Sequence, residues 1–346
     1  MNIFTIYPSS FRLSRSQGWI GRHRRVRWHG VRWRDLPFVL LVTAVLSTTP
    51  LLYPQAQSVQ QLRERVNQGV VGVMCGRTTG SFLYFCEDLA VLLNDNFNYS
   101  MRVLPIVGEG SRRNVEDLLY LRGADLALAF ADVLDVLENS GEYPNLKRRL
   151  RYVSSMFGSE LHILASKDIE TIDDLKGRKV NFSTPGTGTF QTMTTVFDKL
   201  DIVVEVGSDA EITALDKLRQ GEIDAMGFVA APPWKVLRSV TEEDELHLID
   251  VPADRIEGVY EPASWTSELY PRTIKPGQTV HSVRVPVVLL AYDWPNKHPR
   301  CAKVQHFVEA FRSNFPKLLQ EPFQAKWREV DLDAEVRGLE RWNKSC

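Results

Sequence analysis

Two stretches of this chain repeat one order of residues: an apolar run suited to a buried strand, a loop of small residues, then a segment with helical period. The first is Val70-Val71-Gly72-Val73-Met74-Cys75, followed by Gly76-Arg77-Thr78-Thr79-Gly80-Ser81 and a helix from Phe82 to about Asn94. The second leaves a lysine-rich turn and a short strand for Asn181-Phe182-Ser183-Thr184-Pro185-Gly186-Thr187-Gly188-Thr189, which runs straight into another helical pattern. Short apolar runs alternating with helical segments define an α/β protein. The same alternation predicts a strand around Met101 to Ile106, the turn Gly108-Glu109-Gly110-Ser111, a helix from Arg112 to Arg122 and a strand from Asp125 to Phe130. Asp132 reads as the N-cap of the next helix. Further on come a helix from Asp209 to Gln220, a strand from Ile223 to Phe228, a long apolar strand from Val280 to Ala291, and a helical tail containing Trp327 and Trp342.

The small-residue loops carry the chemistry. At a helix start, several backbone N–H groups have no intrahelical partner, and short side chains leave room for an anion to reach them. Thr hydroxyls add donors that rotate to suit a carboxylate. An ordinary strand-to-helix connection would look the same. A nucleotide loop would not, because Gly186-Thr187-Gly188 is followed neither by the third glycine of a dinucleotide fingerprint nor by Gly-Lys-Ser/Thr.

The chain opens with eight arginines (Arg12, Arg15, Arg22, Arg24, Arg25, Arg27, Arg32, Arg34) and one acid, Asp35, before an uncharged run from Leu36 to Ser58. That is the composition of an export signal, with an uncleaved N-terminal anchor as the alternative, and it places the body of the protein in the periplasm. The formal net charge is −1 for the whole chain and +7 for the first 35 residues, leaving −8 for the rest. No basic stripe with interleaved aromatics remains to bind nucleic acid, and the membrane is met only through the signal or anchor and a membrane partner. The histidines show no metal-ligand spacing, so neither a metal nor another cofactor is expected. Of the four cysteines, Cys75 and Cys86 read as buried free thiols inside a strand and a helix, and Cys301 and Cys346 as a bridge.

From about Gly69 to Trp342 the chain resembles the TAXI-type solute-binding proteins of tripartite ATP-independent periplasmic (TRAP) transporters. The resemblance rests on the order and spacing of Thr79-Gly80-Ser81-Phe82, Gly110-Ser111 with Asn114, Gly123-Ala124-Asp125-Leu126-Ala127, Asp173 with Leu175-Lys176-Gly177, Pro185-Gly186-Thr187-Gly188-Thr189, Gly221-Glu222-Ile223-Asp224-Ala225 and Pro276-Gly277-Gln278. It implies an α/β fold of the periplasmic-binding-protein type, two-lobed and type II-like, with the ligand cleft between lobes joined by a hinge. Lobe one would comprise 58–167 and 279–346, and lobe two 168–278, after an export signal or anchor over 1–57. It further implies capture of a small anionic solute, glutamate or a related dicarboxylate, and delivery to TRAP membrane permease subunits. The chain departs from the family pattern at Phe130-Ala131-Asp132, at Ala230-Ala231-Pro232-Pro233 and before Pro276, so the ligand itself does not transfer.

On this reading Thr78, Thr79, Gly80, Ser81, Phe82, Ser111 and Asn114 face the ligand from the first lobe. Ser183, Pro185, Gly186, Thr187, Gly188 and Thr189 face it from the second, with Trp265 in an apolar wall that Phe82, Phe130, Trp234 and Tyr270 could share. Arg77, Arg112 and Arg113 lie at or beside these loops, where they could favour an anion, but an arginine in a helical first turn is more often solvated. The function is binding, not catalysis: no Gly-x-Ser-x-Gly is present and only His162 comes near the loops. An exported enzyme on the same fold and a membrane-tethered ligand sensor are the alternatives.

Overall fold

Ser58 fixes the first helix, α1 (Val59–Gln68), through a capping box: its hydroxyl accepts from the Gln61 N–H, and the Gln61 side chain accepts from the Ser58 N–H. The computed structural model describes residues 58–96, 101–256, 258 and 260–346, and the segment read as an export signal lies outside them. β1 (Val70–Gly76) is buried along all but its first residue, in keeping with its lack of charged side chains. β2 (Arg102–Val107) and β3 (Leu126–Phe130) flank it on either side, both parallel to it. α2 (Phe82–Asn96) and α3 (Ser111–Tyr120) make the connections. α4 (Ala131–Ser140) and α5 (Leu146–Arg149) then lead to a long strand, β4 (Leu150–Ser166). β5 (Lys179–Asn181), α6 (Gly188–Leu200), β6 (Glu205–Gly207), α7 (Glu211–Arg219) and β7 (Ala225–Ala230) repeat the earlier order of strand and helix. β8 (Leu246–Leu248), β9 (Glu261–Thr266), β10 (Thr279–Tyr292) and α8 (Pro299–Leu318) follow.

The sheet runs β2-β1-β3-β10-β4-β7-β5-β6, with β8 beside β4 and β9 beside β10. From either edge the order is the same: three parallel strands, then a long antiparallel strand, β10 beside the first set and β4 beside the second. β4 and β10 pair with each other from Glu160↔Arg284 to Leu150↔Tyr292. At the Glu160 and Arg284 end both change neighbours, β4 running on against β7 and β10 lying against β9. This is the type II-like periplasmic-binding-protein architecture, and it brings the C-terminal ends of each parallel set to one edge.

α8 is tied to the base of the first set. The buried Asp125 carboxylate accepts from the Gly72 N–H at 3.0 Å and from Lys303 Nζ at 2.7 Å. Gly72 is obligatory there, since a Cβ would fall 2.0 Å from the Gly123 carbonyl oxygen.

Three sequence expectations are corrected. Cys75 and Cys86 are not free thiols but a disulfide, as are Cys301 and Cys346. Cys86 shares with Phe82, Phe85 and Leu89 the face of α2 turned to the core, which brings its Cα within 6.2 Å of that of Cys75. The tail is not helical as a whole. Beyond α8 it forms a short turn over Ala325–Glu329 and ends extended, with the Trp342 N–H donating to the Tyr152 carbonyl, because Pro322 and the left-handed Gly338 interrupt any helix. Asp132 is not the cap of its helix: Phe130 holds that position, and the Asp132 carboxylate accepts from the Val133 N–H and from the hydroxyls of Thr192 and Tyr260.

His162 is wholly buried on β4. Its Nδ1 lies 2.9 Å from the Glu160 carbonyl and its Nε2 lies 2.6 Å from the Tyr270 hydroxyl, while Trp265 stacks on the ring at 4.2 Å. Tyr270 in turn accepts from the Trp234 N–H, so the Tyr proton points to Nε2 and the His proton sits on Nδ1. Burial holds the neutral ring and lowers its pKa from 6.5 to about 3. The unfolded chain therefore takes up a proton that the fold refuses. This contribution to stability is complete above pH 6.5 and is lost as pH falls towards 3. We expect the melting temperature of His162→Gln to decline less steeply than wild type between pH 6.5 and 4, read by circular dichroism; parallel slopes would refute it.

Candidate functional site

The loops at the ends of β1, β2 and β5 converge. They enclose a cavity of about 50 Å³ lined by Arg77, Gly80, Ser81, Phe82, Gly110, Ser111, Phe130, Thr187, Gly188, Thr189, Glu211 and Phe228, with Cys75, Gly76, Glu109 and Val229 completing the wall. The backbones meet closely. Gly110 has φ +119, and a Cβ on it would lie 3.5 Å from Thr187 Cα. On Gly188 a Cβ would lie 2.3 Å from the Phe130 ring and 2.8 Å from Ser111 Oγ. A side chain at either position would hold the two loops apart.

Three buried hydroxyls face this cavity with one feature in common. Ser81 Oγ accepts from the Ala231 N–H at 3.1 Å, Ser111 Oγ from the Phe130 N–H at 3.0 Å, and Thr189 Oγ1 from the Val229 N–H at 3.2 Å. Each oxygen is thus fixed in place by a backbone donor while its own O–H remains to be given. Thr187 differs. Its hydroxyl accepts from the Phe190 N–H as the N-cap of α6 and donates to the Thr184 carbonyl, so it is fully engaged. The first-turn N–H groups of α3 and α6 add donors without acceptors in their own helices.

The charged groups form an internal set. Glu211, at the start of α7, accepts from the Thr79 hydroxyl at 3.2 Å and the Ser183 hydroxyl at 3.5 Å, and its carboxylate lies 3.6 Å from Arg77. Arg77 also donates to the Thr184 hydroxyl. Ser183 reaches this set from a left-handed conformation at φ +71 that turns the chain out of β5. Phe82 and Phe130 meet edge to face at 5.0 Å and, with Phe228, form the apolar wall.

Gly80, Ser81, Phe82, Ser111, Thr187, Gly188 and Thr189 therefore share the cavity. Thr79 and Ser183 stand behind Glu211. Thr78 is exposed and outside the lining. Asn114 is fully buried and donates to the carbonyls of Leu128 and Met74, tying α3 to β3 and β1. Pro185 and Gly186 line a separate hollow of about 240 Å³ with Arg112, Val133 and Phe190. Trp265 lies in the His162 cluster, its indole N–H donating to Glu160. Arg112 and Arg113 pair with Glu116 at 3.3 and 2.7 Å. No local pattern sets Arg77 apart from these two, or singles out Glu211 beyond its place in a helical first turn. Among the described residues no group of three His, Cys, Asp or Glu side chains is placed to hold a metal ion.

Gly188→Val should abolish ligand binding while leaving the circular-dichroism spectrum intact, because the branched side chain meets Phe130 and Ser111. Unchanged calorimetric affinity would show that the loop is only a connection.

Solved structures with similar chain paths include the periplasmic binding protein BugD (13% identity, 78% of this chain and 88% of that one, TM-score 0.49). An ancestral arginine-binding protein bound to arginine shows 14% identity over 74% of this chain and 99% of that one, with TM-score 0.45. The alkanesulfonate-binding protein SsuA from Xanthomonas axonopodis pv. citri, bound to MOPS, shows 13% identity over 76% and 86%, with TM-score 0.43. The model of the NMT1-like family matches residues 73–298. That span takes in both strand-loop-helix repeats, every wall of the cavity and most of the chain, and the chain belongs to the NMT1-like family.

Proposed function

We propose that this protein is an extracytoplasmic solute-binding protein that captures a small anionic solute, glutamate-like or dicarboxylate-like, and delivers it to the membrane permease of a TRAP transporter. The observation that carries the reading is the trio of Ser81, Ser111 and Thr189, whose oxygens each accept one backbone N–H and whose protons are free for an acceptor. A carboxylate has acceptors and no donors, so it complements three O–H groups and two helix starts. The lobes in this reading are 58–167 with 279–346, and 168–278, turning about the place where β4 and β10 exchange neighbours. Closure brings Gly188 against Phe130 and Ser111 and is completed by the ligand. Residues 1–57 serve export or anchoring; among the described residues no helix is long and apolar enough to cross a membrane.

Binding without catalysis fits the same geometry. The cavity wall holds no histidine, and His162 is locked between Glu160 and Tyr270. The test is calorimetry against amino acids, dicarboxylates and keto acids, with thermal shift as the screen, since a ligand bound only by the folded state raises the melting temperature. Ser111→Ala and Thr189→Ala should each weaken an acid ligand by about 1.5–3 kcal/mol, the range for a hydrogen bond to a charged group. Thr78→Ala should leave affinity unchanged. Equal effects at all three positions, or no binding of any acid, would refute the proposal.

A further inference from the structure

A second chamber adjoins the inner cavity. It measures about 160 Å³ against about 50 Å³ for the inner one, and Ser81 is a wall of both. Its remaining lining includes Thr79 and Tyr84 on one side, and Ala231, Trp234, Lys235 and Arg238 on the other. At the shared wall lies the 3.1 Å hydrogen bond from the Ala231 N–H to Ser81 Oγ, a hydroxyl whose own proton is given to no acceptor among the described residues.

The two chambers differ in charge. The inner lining carries one cation, Arg77, and two acids, Glu109 and Glu211. The outer lining carries Lys235, Arg238 and Lys326 and no acid. Lys326 is neutralised, lying 2.9 Å from Glu160 and 2.8 Å from Glu329. Lys235 and Arg238 are exposed and have no acidic partner among the described residues. Lys235 rests with its Nζ 3.3 Å over the Tyr84 ring, which holds the cation at the chamber wall without cancelling its charge. Trp234, whose buried indole N–H has no acceptor among the described residues, is part of the same wall.

We infer that this outer chamber is a second subsite, which receives the distal anionic group of an elongated ligand whose first acidic group lies in the inner cavity. The inference rests on the solute-binding reading above and adds to it a ligand length and a second recognition point. The inner cavity is small and its one cation, Arg77, is held by Glu211, so no cation there is left for a second acidic group, whereas unpaired cations line the adjoining chamber. The ligand's chain crosses the shared wall past Ser81, whose proton is then shared between the two ends of the cleft.

The experiment is titration calorimetry on the full chain, using α,ω-dicarboxylates from malonate to suberate and the monocarboxylates of matching length. Wild type should bind a dicarboxylate of intermediate length at least tenfold more tightly than its monocarboxylate. The double variant Lys235→Gln, Arg238→Gln should lose that advantage while binding the monocarboxylate as wild type does, and Arg238→Lys should keep most of it. ω-Phosphonocarboxylates run beside the series establish whether the distal group preferred is a carboxylate or a phosphonate; a gain over the monocarboxylate from either supports the subsite. Monocarboxylates that bind as tightly as every two-headed ligand, or a double variant indistinguishable from wild type, would overturn the second subsite and leave the solute-binding reading standing. Failure of every acid to bind would overturn both.

Discussion

Glu160 carries a carboxylate that is almost wholly buried at the point where β4 and β10 both change neighbours. Lys326 approaches it at 2.9 Å and Arg284 at 3.4 Å, and the Trp265 indole donates to it. Four separate parts of the chain meet at this one charge: β4, β10, β9 and the turn after α8. The Arg284 stem occupies the space over Gly158, where a Cβ would lie 2.2 Å away, so the cation reaches the acid only because that residue has no side chain. Removing a single partner from such a group leaves an uncompensated buried charge, a change that costs about 3–5 kcal/mol. The long central strands, and the two strand sets hung on either side of them, depend on that balance.

The cavity is set by those sets in turn. Each parallel trio delivers a loop of small residues to the same region, and each helix that follows starts with N–H groups turned towards it. The side chains in the wall mostly hold one another. Arg77 holds Glu211, Thr79 and Ser183 donate to the same acid, and Thr187 caps its own helix. What is left over is a small group of hydroxyl protons at fixed positions, and that remainder is what the proposed function assigns to a ligand.

Much of the frame was legible in the sequence, because buried parallel strands must be apolar throughout and the loops that leave them must be small. Val70–Gly76, Leu126–Phe130 and Thr279–Tyr292 emerge within a residue or two of their expected ends. The site was legible only in part. Thr79 and Glu211 are 132 residues apart, and Asp132 and Tyr260 are 128 apart, so no local pattern pairs them. Asn114 and Trp265 carry side chains that suit a ligand equally well, yet the donors of both are spent inside the fold, on the carbonyls of Leu128 and Met74 and on Glu160. Local chemistry announces which residues can bind; the sheet order decides which of them have anything left to bind with.

The Cys75–Cys86 bridge closes a covalent ring of 11 residues of separation, and within it lie Arg77, Gly80, Ser81 and Phe82. Cross-links of this kind stabilise folds by about 2–4 kcal/mol, in the chain-entropy view by restricting the unfolded loop. Here the restricted loop is a wall of the cleft. On the proposed function its ordering is completed once, when the bridge forms, and is not repeated at every encounter with a solute. A molecule folded with both thiols reduced would present the same side chains from a slacker loop, and its grip would differ from that of an oxidised copy of identical sequence.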